Sequence, residues 1–490
     1  MRANDLLITL EGQPPGPLYL QVAGALVQAI REGRTTQGVA LPSVRELAER
    51  LGVHLNTTLA ALRELEAQGW VEARPRVGFF VCDKLPERTH AATASGDNAQ
   101  AMGFDLPSPL RPLTDAKGLL MDLSDGVADA RLAPVDALAR AYQRALRLKG
   151  PQLLGSGEFK GIFRLREALA SLLSQQRAFR VDPGQLLVIR STSMAVTMVA
   201  QALIGSEGAD VGVEDPGNPV VWDTLRHAGA ARLHALPVDE HGLCVDALEA
   251  LLATTPLRLL VLTPQCHYPT GVRLSPNRRK SLLQLAQQHR IAILELDPEH
   301  DFLQGVPHPP LAAQDTTGQV IYVGSLSRAF GPGLRLGFMA VPAALANGLA
   351  KARQRLDWQG EPVLEWAISE LILDGEFERH LRRMRRAVMD RRDALEDAVT
   401  HTLADQVRFA SGRGAMGLWL EGVGEMADSH RFDMWVRICN GHGLKLRKGS
   451  HFTLDTRGLA ATRVGYTGYQ PEELQRAVAL MLGVTPPNGN

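Results

Sequence analysis

Between residues 186 and 341 short apolar segments alternate with amphipathic ones, and this alternation constrains the fold of the chain more than any other feature. Segments of this length that are bounded by turn residues predict buried strands, and the amphipathic segments between them predict helices. The predicted strands are 186–190, 210–214, 231–237, 257–263, 291–296, 320–324 and 337–341. The predicted helices are 194–204, 219–228, 245–253 and 276–289. Strands that are separated by helices favour a mostly parallel sheet with helices on both faces, which is an α/β fold.

The rest of the chain has a different texture on each side of this region. Residues 15–83 show helical periodicity, whereas 84–118 are rich in small, polar and proline residues and are predicted to be a linker. The main domain is predicted to span 119–485. Its large part covers about 150–345, and a smaller α+β part covers about 346–485.

Composition excludes several classes of protein. The 490 residues contain 53 Lys and Arg and 53 Asp and Glu, so bulk charge does not indicate nucleic-acid binding, which must depend on a local surface. The four cysteines are scattered without a Cys-x-x-Cys pair, which argues against disulfides and a zinc site and favours the cytoplasm. Apolar runs are far too short to span a bilayer.

Residues 17–83 have the pattern of a winged helix-turn-helix. Predicted helices cover about 17–32, from Pro42 to Gly52, and from Leu55 or Asn56 to Gly69. Two short strands then follow, on either side of Pro75, as in a wing.

This segment resembles the DNA-binding domain of the GntR family in the motifs at 17–21, 41–48, 51–53 and 56–58. The resemblance implies that the third helix enters the major groove of DNA. The positions that it assigns to DNA contact are Arg45, Asn56, Thr57, Thr58, Arg74, Arg76 and Gly78. One departure is His54-Leu55, where the family has a Ser/Thr-Arg pair. Residues 1–83 also carry eight Lys and Arg against nine Asp and Glu, which leaves a protein-binding winged helix as an alternative.

A second motif lies after the strand at 320–324. It contains Ser325-Leu326-Ser327 and then the turn 331–335, which ends in Arg335. Hydroxyls, backbone N–H groups and a guanidinium in one turn suit a phosphate group. A surface loop with an arginine at its rim is the alternative.

In this context the motif resembles the fold-type I aminotransferases, which depend on pyridoxal phosphate. Thr263-Pro264, Pro269-Thr270-Gly271, Asp215-Pro216-Gly217 and the segment from Arg463 to Tyr466 complete the resemblance. Together with the winged helix, it identifies the chain as similar to MocR-type transcriptional regulators. The resemblance implies a head-to-tail homodimer that binds double-stranded DNA.

The cofactor positions depart from this pattern. Arg328 occupies the place of the lysine that forms an imine with pyridoxal phosphate, and a guanidinium stays protonated. Leu296 replaces the aspartate for the pyridinium nitrogen, and Asp297 is expected on the opposite face of the strand. The remaining departures are Pro298 and Asn218 for tyrosines, Ser156 for the tyrosine that crosses the dimer, and Thr192 for a glycine.

These departures predict a regulator without pyridoxal phosphate chemistry, which binds that cofactor weakly and non-covalently if at all. The groups that remain predict a site for an anionic effector at Ser325, Ser327, Arg328, Arg335 and Arg463. The alternative is a pocket closed by ion pairs with Glu295, Asp297 and Glu299. Two further alternatives are a regulator or aminotransferase that binds the cofactor, and a scaffold that binds proteins instead of DNA.

Overall fold

The computed structural model describes residues 16–75, 77–83, 85, 120–205, 208–303, 305, 307–410 and 416–483. The chain divides into two units, Met1–Leu113 and Thr114–Asn490. The predicted linker, apart from Leu85, lies outside the described residues. The domain boundaries at 83 and 119 therefore stay predictions.

The N-terminal unit is the winged helix-turn-helix that the sequence predicts. Its elements are α1 (Leu18–Arg31), α2 (Val44–Leu51), α3 (Leu55–Ala67), β1 (Val71–Arg74) and β2 (Gly78–Val81). The Ser43 hydroxyl accepts a hydrogen bond from the Glu46 N–H and caps α2. Gly52 ends α2 at a φ of 62°, a left-handed conformation that permits the tight turn into α3. Leu26, Leu62 and other apolar side chains of the three helices form its core.

The second unit is larger and combines helices with strands. Its helices are α4 (Val135–Leu153), α5 (Phe163–Arg177), α6 (Thr192–Leu203), α7 (Pro219–His227), α8 (Val245–Leu252), α9 (Pro276–His289), α10 (Leu311–Gln314), α11 (Ser327–Phe330), α12 (Ala343–Asp357), α13 (Pro362–Leu373), α14 (Glu376–Thr402), α15 (Ser429–Gly441) and α16 (Pro471–Gly483). Its strands are β3 (Met121–Asp122), β4 (Leu186–Ile189), β5 (Asp210–Asp215), β6 (Arg232–Asp239), β7 (Gly242–Leu243), β8 (Leu259–Leu262), β9 (Ala292–Asp297), β10 (Val320–Ser325), β11 (Gly337–Ala340), β12 (Val407–Arg408), β13 (Gly417–Gly422), β14 (Leu444–Lys445) and β15 (Ala461–Gly465).

The main sheet of the described residues has the strand order β4-β11-β10-β9-β8-β5-β6-β7. The strands from β10 through β6 pair in parallel, and β11 is antiparallel to β10 and to β4. Every residue of β4, β8 and β11 is buried, because helices cover both faces. The predicted mostly parallel α/β sheet is confirmed.

Most predicted element bounds agree with the structure to within one or two residues. The helix predicted from residue 194 begins at Thr192, because the Ser191 hydroxyl accepts the Met194 N–H and caps it. The strand predicted over 257–263 is shorter and covers Leu259–Leu262.

The C-terminal part of the chain forms a smaller α+β layer, as predicted. Strands β12, β13 and β15 form an antiparallel sheet, and β3 pairs with β14 in parallel. The apolar faces of α14, α15 and α16 belong to one core with this sheet. Among the described residues, no helix combines the length and hydropathy needed to cross a membrane.

Candidate functional sites

A cavity of about 270 Å³ lies where β4 and β10 end and β11 begins. Helix α6 begins at the edge of this cavity. The first backbone N–H groups of a helix have no hydrogen-bond partner inside the helix. The polar and charged side chains that line the cavity are those of Arg190, Ser191, Thr192, Ser325, Ser327, Arg328 and Arg335. The structure therefore brings four of the five predicted anion-site residues together.

Two of these four are held by the protein itself. The Ser327 hydroxyl donates to the Leu336 carbonyl at 3.1 Å and accepts from the Leu336 N–H at 2.7 Å. The Arg328 guanidinium donates to the Gly126 carbonyl and lies 3.5 Å from a carboxylate oxygen of Asp125. Their hydrogen-bonding groups are therefore largely used to fix the loop.

Arg335 has a different environment from the other cations of the cavity. Its side chain is exposed, and it forms no hydrogen bond or ion pair with any residue in the described part of the chain. Its backbone has a φ of +49°, a left-handed conformation that is energetically costly for residues other than glycine. Arg335 is therefore the cation that is available to a ligand in this cavity.

Arg190 also lines the cavity, and the sequence prediction missed it. Its Nε donates to Asp357 at 2.6 Å, and its Nη1 donates to Glu361 at 2.7 Å. Both partners are distant in sequence, so no local pattern indicates this group. Its position after a buried strand and before the Ser191 cap is the only signal that the sequence offers.

Arg463 does not line the cavity, which corrects the prediction that it joins the other cations. Its side chain is fully buried, and its Nη2 donates to a carboxylate oxygen of Glu299 at 2.9 Å. Its Nη1 donates to the Pro269 carbonyl at 3.1 Å, and its guanidinium lies 4.8 Å from the centre of the Tyr268 ring. An internal carboxylate therefore neutralises this arginine.

The two other carboxylates expected to close the pocket do not pair with the predicted arginines. Glu295 accepts from the backbone N–H groups of Leu311 and Ala312, at 2.9 and 3.0 Å. Asp297 is bonded to His300 and to the Tyr322 hydroxyl. Burial raises the pKa of Glu295 to about 7.

A separate, much smaller cavity of about 20 Å³ lies beside Leu296 and Asn218. This volume accommodates a water molecule but not an aromatic ring. The Asn218 side chain accepts the Val220 N–H at 3.0 Å and caps α7. Leu296 packs in a different core cluster from Tyr322, the partner of Asp297, so the two neighbours face opposite sides of the strand, as the alternation of a strand requires.

Pro298 and Ser156 line neither cavity. Pro298 is half-buried after the end of β9, and Ser156 is exposed after α4. Of the six positions that the sequence analysis predicts to depart from the aminotransferase pattern, Arg328 and Thr192 thus lie at the large cavity, and Leu296 and Asn218 lie at the small one.

The small cavity also borders a buried polar cluster. Glu214 accepts hydrogen bonds from the backbone and the hydroxyl of Thr263, each at 2.8 Å. Burial raises the pKa of Glu214 to about 7 and lowers that of His267 to about 3. His267 is therefore neutral, and its 3.7 Å separation from Glu214 is not an ion pair. The described residues hold no cluster of metal-binding side chains.

In the winged helix, Arg45, Asn56 and Gly78 are exposed and Thr57 is half-buried. His54 has a defined role, because its Nδ1 accepts the Asn56 N–H at 3.2 Å and caps α3. The departure at this position therefore retains a helix cap.

The three other predicted DNA contacts are Thr58, Arg74 and Arg76. Thr58 is fully buried against the core, so its side chain does not reach a ligand, and its inclusion was wrong. Arg74 is paired with Glu72, and its guanidinium lies 4.2 Å from the centre of the Phe80 ring. Arg76 lies outside the described residues.

Two protein-family models match the chain. The model "Aminotransferase class I and II" matches residues 120–480. The model "Bacterial regulatory proteins, gntR family" matches residues 18–81. Together they cover most of the described residues of both units.

Relatives of known name share this arrangement along nearly their full length. The chain is 27% identical to the probable rhizopine catabolism regulatory protein MocR of Rhizobium meliloti, over 96% of this chain and 94% of that protein. It is 29% identical to the HTH-type transcriptional regulator TauR of Rhodobacter capsulatus, over 95% and 96%. Among solved structures, LysN, an alpha-aminoadipate aminotransferase from Thermus thermophilus, is 25% identical with a TM-score of 0.68, and the match covers 75% of this chain and 92% of that one.

Proposed function

The chain belongs to the aminotransferase class I and II family and carries a gntR-family unit ahead of it, and we propose that it is a DNA-binding transcriptional regulator that senses an anionic effector without pyridoxal phosphate chemistry. Relatives that match over nearly the whole chain are named as a regulatory protein and as an HTH-type transcriptional regulator. The observation that carries DNA binding is the winged helix, with a capped α3 and an exposed Arg45 in the first turn of α2. A cytoplasmic location is part of the proposal.

The Arg45→Ala variant is expected to bind the operator more weakly by about 1–3 kcal/mol, because a guanidinium that contacts DNA forms charge-assisted bonds. The operator is first recovered by selecting bound fragments from genomic DNA, and the affinity is measured by fluorescence anisotropy. Arg50→Ala is the matched control, because Arg50 lies on the same helix but is paired with Glu46 at 2.6 Å. A selection that enriches no sequence contradicts operator binding and favours the alternative of a scaffold for protein partners.

Four points support the proposed absence of cofactor chemistry. Arg328 stands in place of an imine-forming lysine, and no lysine lines either cavity in the described part of the chain. Leu296 offers no carboxylate, and the space beside it is about 20 Å³. The residues present therefore do not fit pyridoxal phosphate as a covalently bound cofactor. The absorbance spectrum of the purified protein, with and without added pyridoxal phosphate, tests this.

The large cavity is the proposed effector site. Arg335, the N-terminus of α6 and the Thr192 side chain meet there, and each favours an anion. Arg190 and Arg328 are already paired with carboxylates, so their charges are largely compensated and Arg335 is the main cation that faces a ligand. An anionic group of about the size of a phosphate or a carboxylate suits this arrangement.

A small anion is expected to raise the melting temperature. A ligand at about 100 times its dissociation constant adds roughly 2.7 kcal/mol to the free energy of unfolding. The measurement is a thermal-shift screen with inorganic phosphate, sulfate and small mono- and dicarboxylates. Arg335→Gln is expected to abolish the shift, whereas the matched Arg226→Gln, an exposed arginine on α7, retains it. A screen without a stabilising anion, or a shift that survives Arg335→Gln, contradicts the proposal.

Self-association is also part of the proposed function. Several large apolar side chains on and after α4 are exposed, among them Val135, Leu148, Leu154 and Phe163. A group of exposed apolar side chains in one region is typical of a surface that a protein partner covers. A homodimer is therefore proposed, with the head-to-tail arrangement that the family resemblance implies. Analytical ultracentrifugation at micromolar concentration tests the dimeric state.

A further inference from the structure

The first turns of α14 carry a concentration of positive charge that helix stability does not explain. Residues 376–386 contain five arginines and two glutamates, whereas 387–402 contain two arginines and four acidic residues. The N-terminus of a helix repels cations, so this distribution opposes the helix dipole. Phe377, Leu381 and Met384 of the same turns are buried in the core, so the arginines lie on the remaining faces.

Four of these arginines form a stripe on one face of the helix. Arg379, Arg382, Arg383 and Arg386 are spaced three and four residues apart, and all four are exposed. At 1.5 Å per residue the stripe is about 10 Å long.

A fifth arginine, on α4, extends the stripe beyond α14. Arg140 is exposed, and its charge acts on the Glu376 carboxylate. The main effect on this carboxylate is the hydrogen bond from Arg379, and together with the charges of Arg383 and Arg140 it lowers the pKa of Glu376. The arginine band is defined here as Arg140, Arg379, Arg382, Arg383 and Arg386.

The carboxylates of the protein compensate only part of this band. Arg379 pairs with Glu376 at 3.0 Å, and Arg382 lies 3.4 Å from Glu378. Over the residues that the structure describes, Arg140, Arg383 and Arg386 form no hydrogen bond or ion pair. Like charges that are held together in this way create a positive surface potential, which attracts an anionic partner.

We propose that the arginine band binds the phosphate backbone of DNA next to the operator. The inference rests on the proposed DNA binding and adds a second contact surface to it. A band of about 10 Å faces roughly six phosphate charges of a duplex, and guanidinium groups match phosphate oxygens.

The composition of the winged helix favours DNA as the partner of this band. Residues 1–83 have one more acidic than basic residue, so that segment neutralises few phosphates by itself. A large part of the affinity of proteins for DNA comes from electrostatic attraction between cationic side chains and the DNA phosphates. A second cationic surface therefore supplies the positive charge that the winged helix lacks. A membrane surface does not suit the band, because the apolar face of α14 is already buried in the core.

The test compares the full-length protein with its Arg383→Gln/Arg386→Gln variant on two duplexes. One duplex covers only the selected operator, and the other extends it on both sides. Arg232→Gln/Arg258→Gln is the matched control, since both residues are exposed and lie at the starts of β6 and β8. On the extended duplex the band variant is expected to bind about tenfold more weakly at low salt, with a slope of log affinity against log salt that is smaller by about 2.

On the short duplex, the band variant is expected to bind like the wild type. An equal loss on both duplexes, or an equal loss in the control variant, overturns the inference. An unchanged affinity for DNA with an altered sedimentation coefficient also overturns it and assigns the band to a subunit contact. If the wild type selects no operator, the proposed function itself fails, which is a different result from a failure of the band alone.

Discussion

Glu299→Ala is expected to lower the free energy of unfolding by about 3–5 kcal/mol, the typical cost of removing one partner from a buried ion pair. The side chain of Arg463 is 1% exposed and that of Glu299 is 7% exposed, so water does not replace the lost carboxylate. Asp125 lies 3.7 Å from the Arg463 Nε, but its side chain is 37% exposed, and its compensation is partial. Urea denaturation followed by circular dichroism measures the change.

Glu361→Ala is the matched control for this prediction. Glu361 also pairs with an arginine, Arg190, but the two side chains are 52% and 32% exposed. Exposed pairs contribute about 0–1 kcal/mol, so the control is expected to stay close to the wild type. Equal effects of the two substitutions would show that the Glu299 pair contributes no more than a surface contact.

Arg328→Lys alone is not expected to yield a protein that binds pyridoxal phosphate covalently. If Leu296 and Pro298 occupy the cofactor positions that the resemblance implies, the pyridinium nitrogen lacks a carboxylate and the phenolic oxygen lacks a donor. Each missing charge-assisted hydrogen bond costs about 1.5–3 kcal/mol. Two amount to roughly 3–6 kcal/mol, or about two to four decades of affinity.

The local electrostatics work in the same direction. Asp125 lies 3.5 Å from the guanidinium of Arg328, and a carboxylate near a new lysine favours its protonated, unreactive form. Titration with pyridoxal phosphate, borohydride reduction and mass measurement of the adduct on residue 328 test the prediction. Arg258→Lys is the control for background labelling of an exposed lysine. A tight adduct in the single variant would mean that one residue alone disabled the site.

Adding Leu296→Asp to Arg328→Lys is expected to recover only part of the affinity. The new carboxylate would point toward the cavity of about 20 Å³, which is too small for the ring without rearrangement. Pro298 lines neither cavity, so a tyrosine there would also need a shift of the chain after β9.

The sequence predicted the fold well because hydrophobic periodicity and helix caps are local signals. The buried strands β4 and β8 and the winged helix depend on residues within a few positions of one another. Even the one wrong DNA contact had a local signal. Thr58 lies four and seven residues before Leu62 and Leu65, which are buried, so helical periodicity places it on the inward face of α3.

The candidate site was less predictable because charged side chains find partners across the fold. Arg190 and Asp357 are 167 residues apart, and Glu299 and Arg463 are 164 apart. Such pairs form only when the folded domain brings these distant segments together. The sequence correctly proposed a carboxylate for Arg463 but had no basis to choose Glu299 over Glu295 and Asp297.

The bond between Glu299 and Arg463 also determines how this domain responds to dissolved carboxylates. Because the two groups belong to one folded chain, the carboxylate stands near the arginine at an effective concentration on the order of millimolar or above. A free carboxylate metabolite at micromolar concentration competes poorly against a permanently attached one. The domain therefore keeps this arginine occupied whatever the nutritional state of the cell. The proposed response to small anions therefore depends on the separate cavity at Arg335 and not on Arg463.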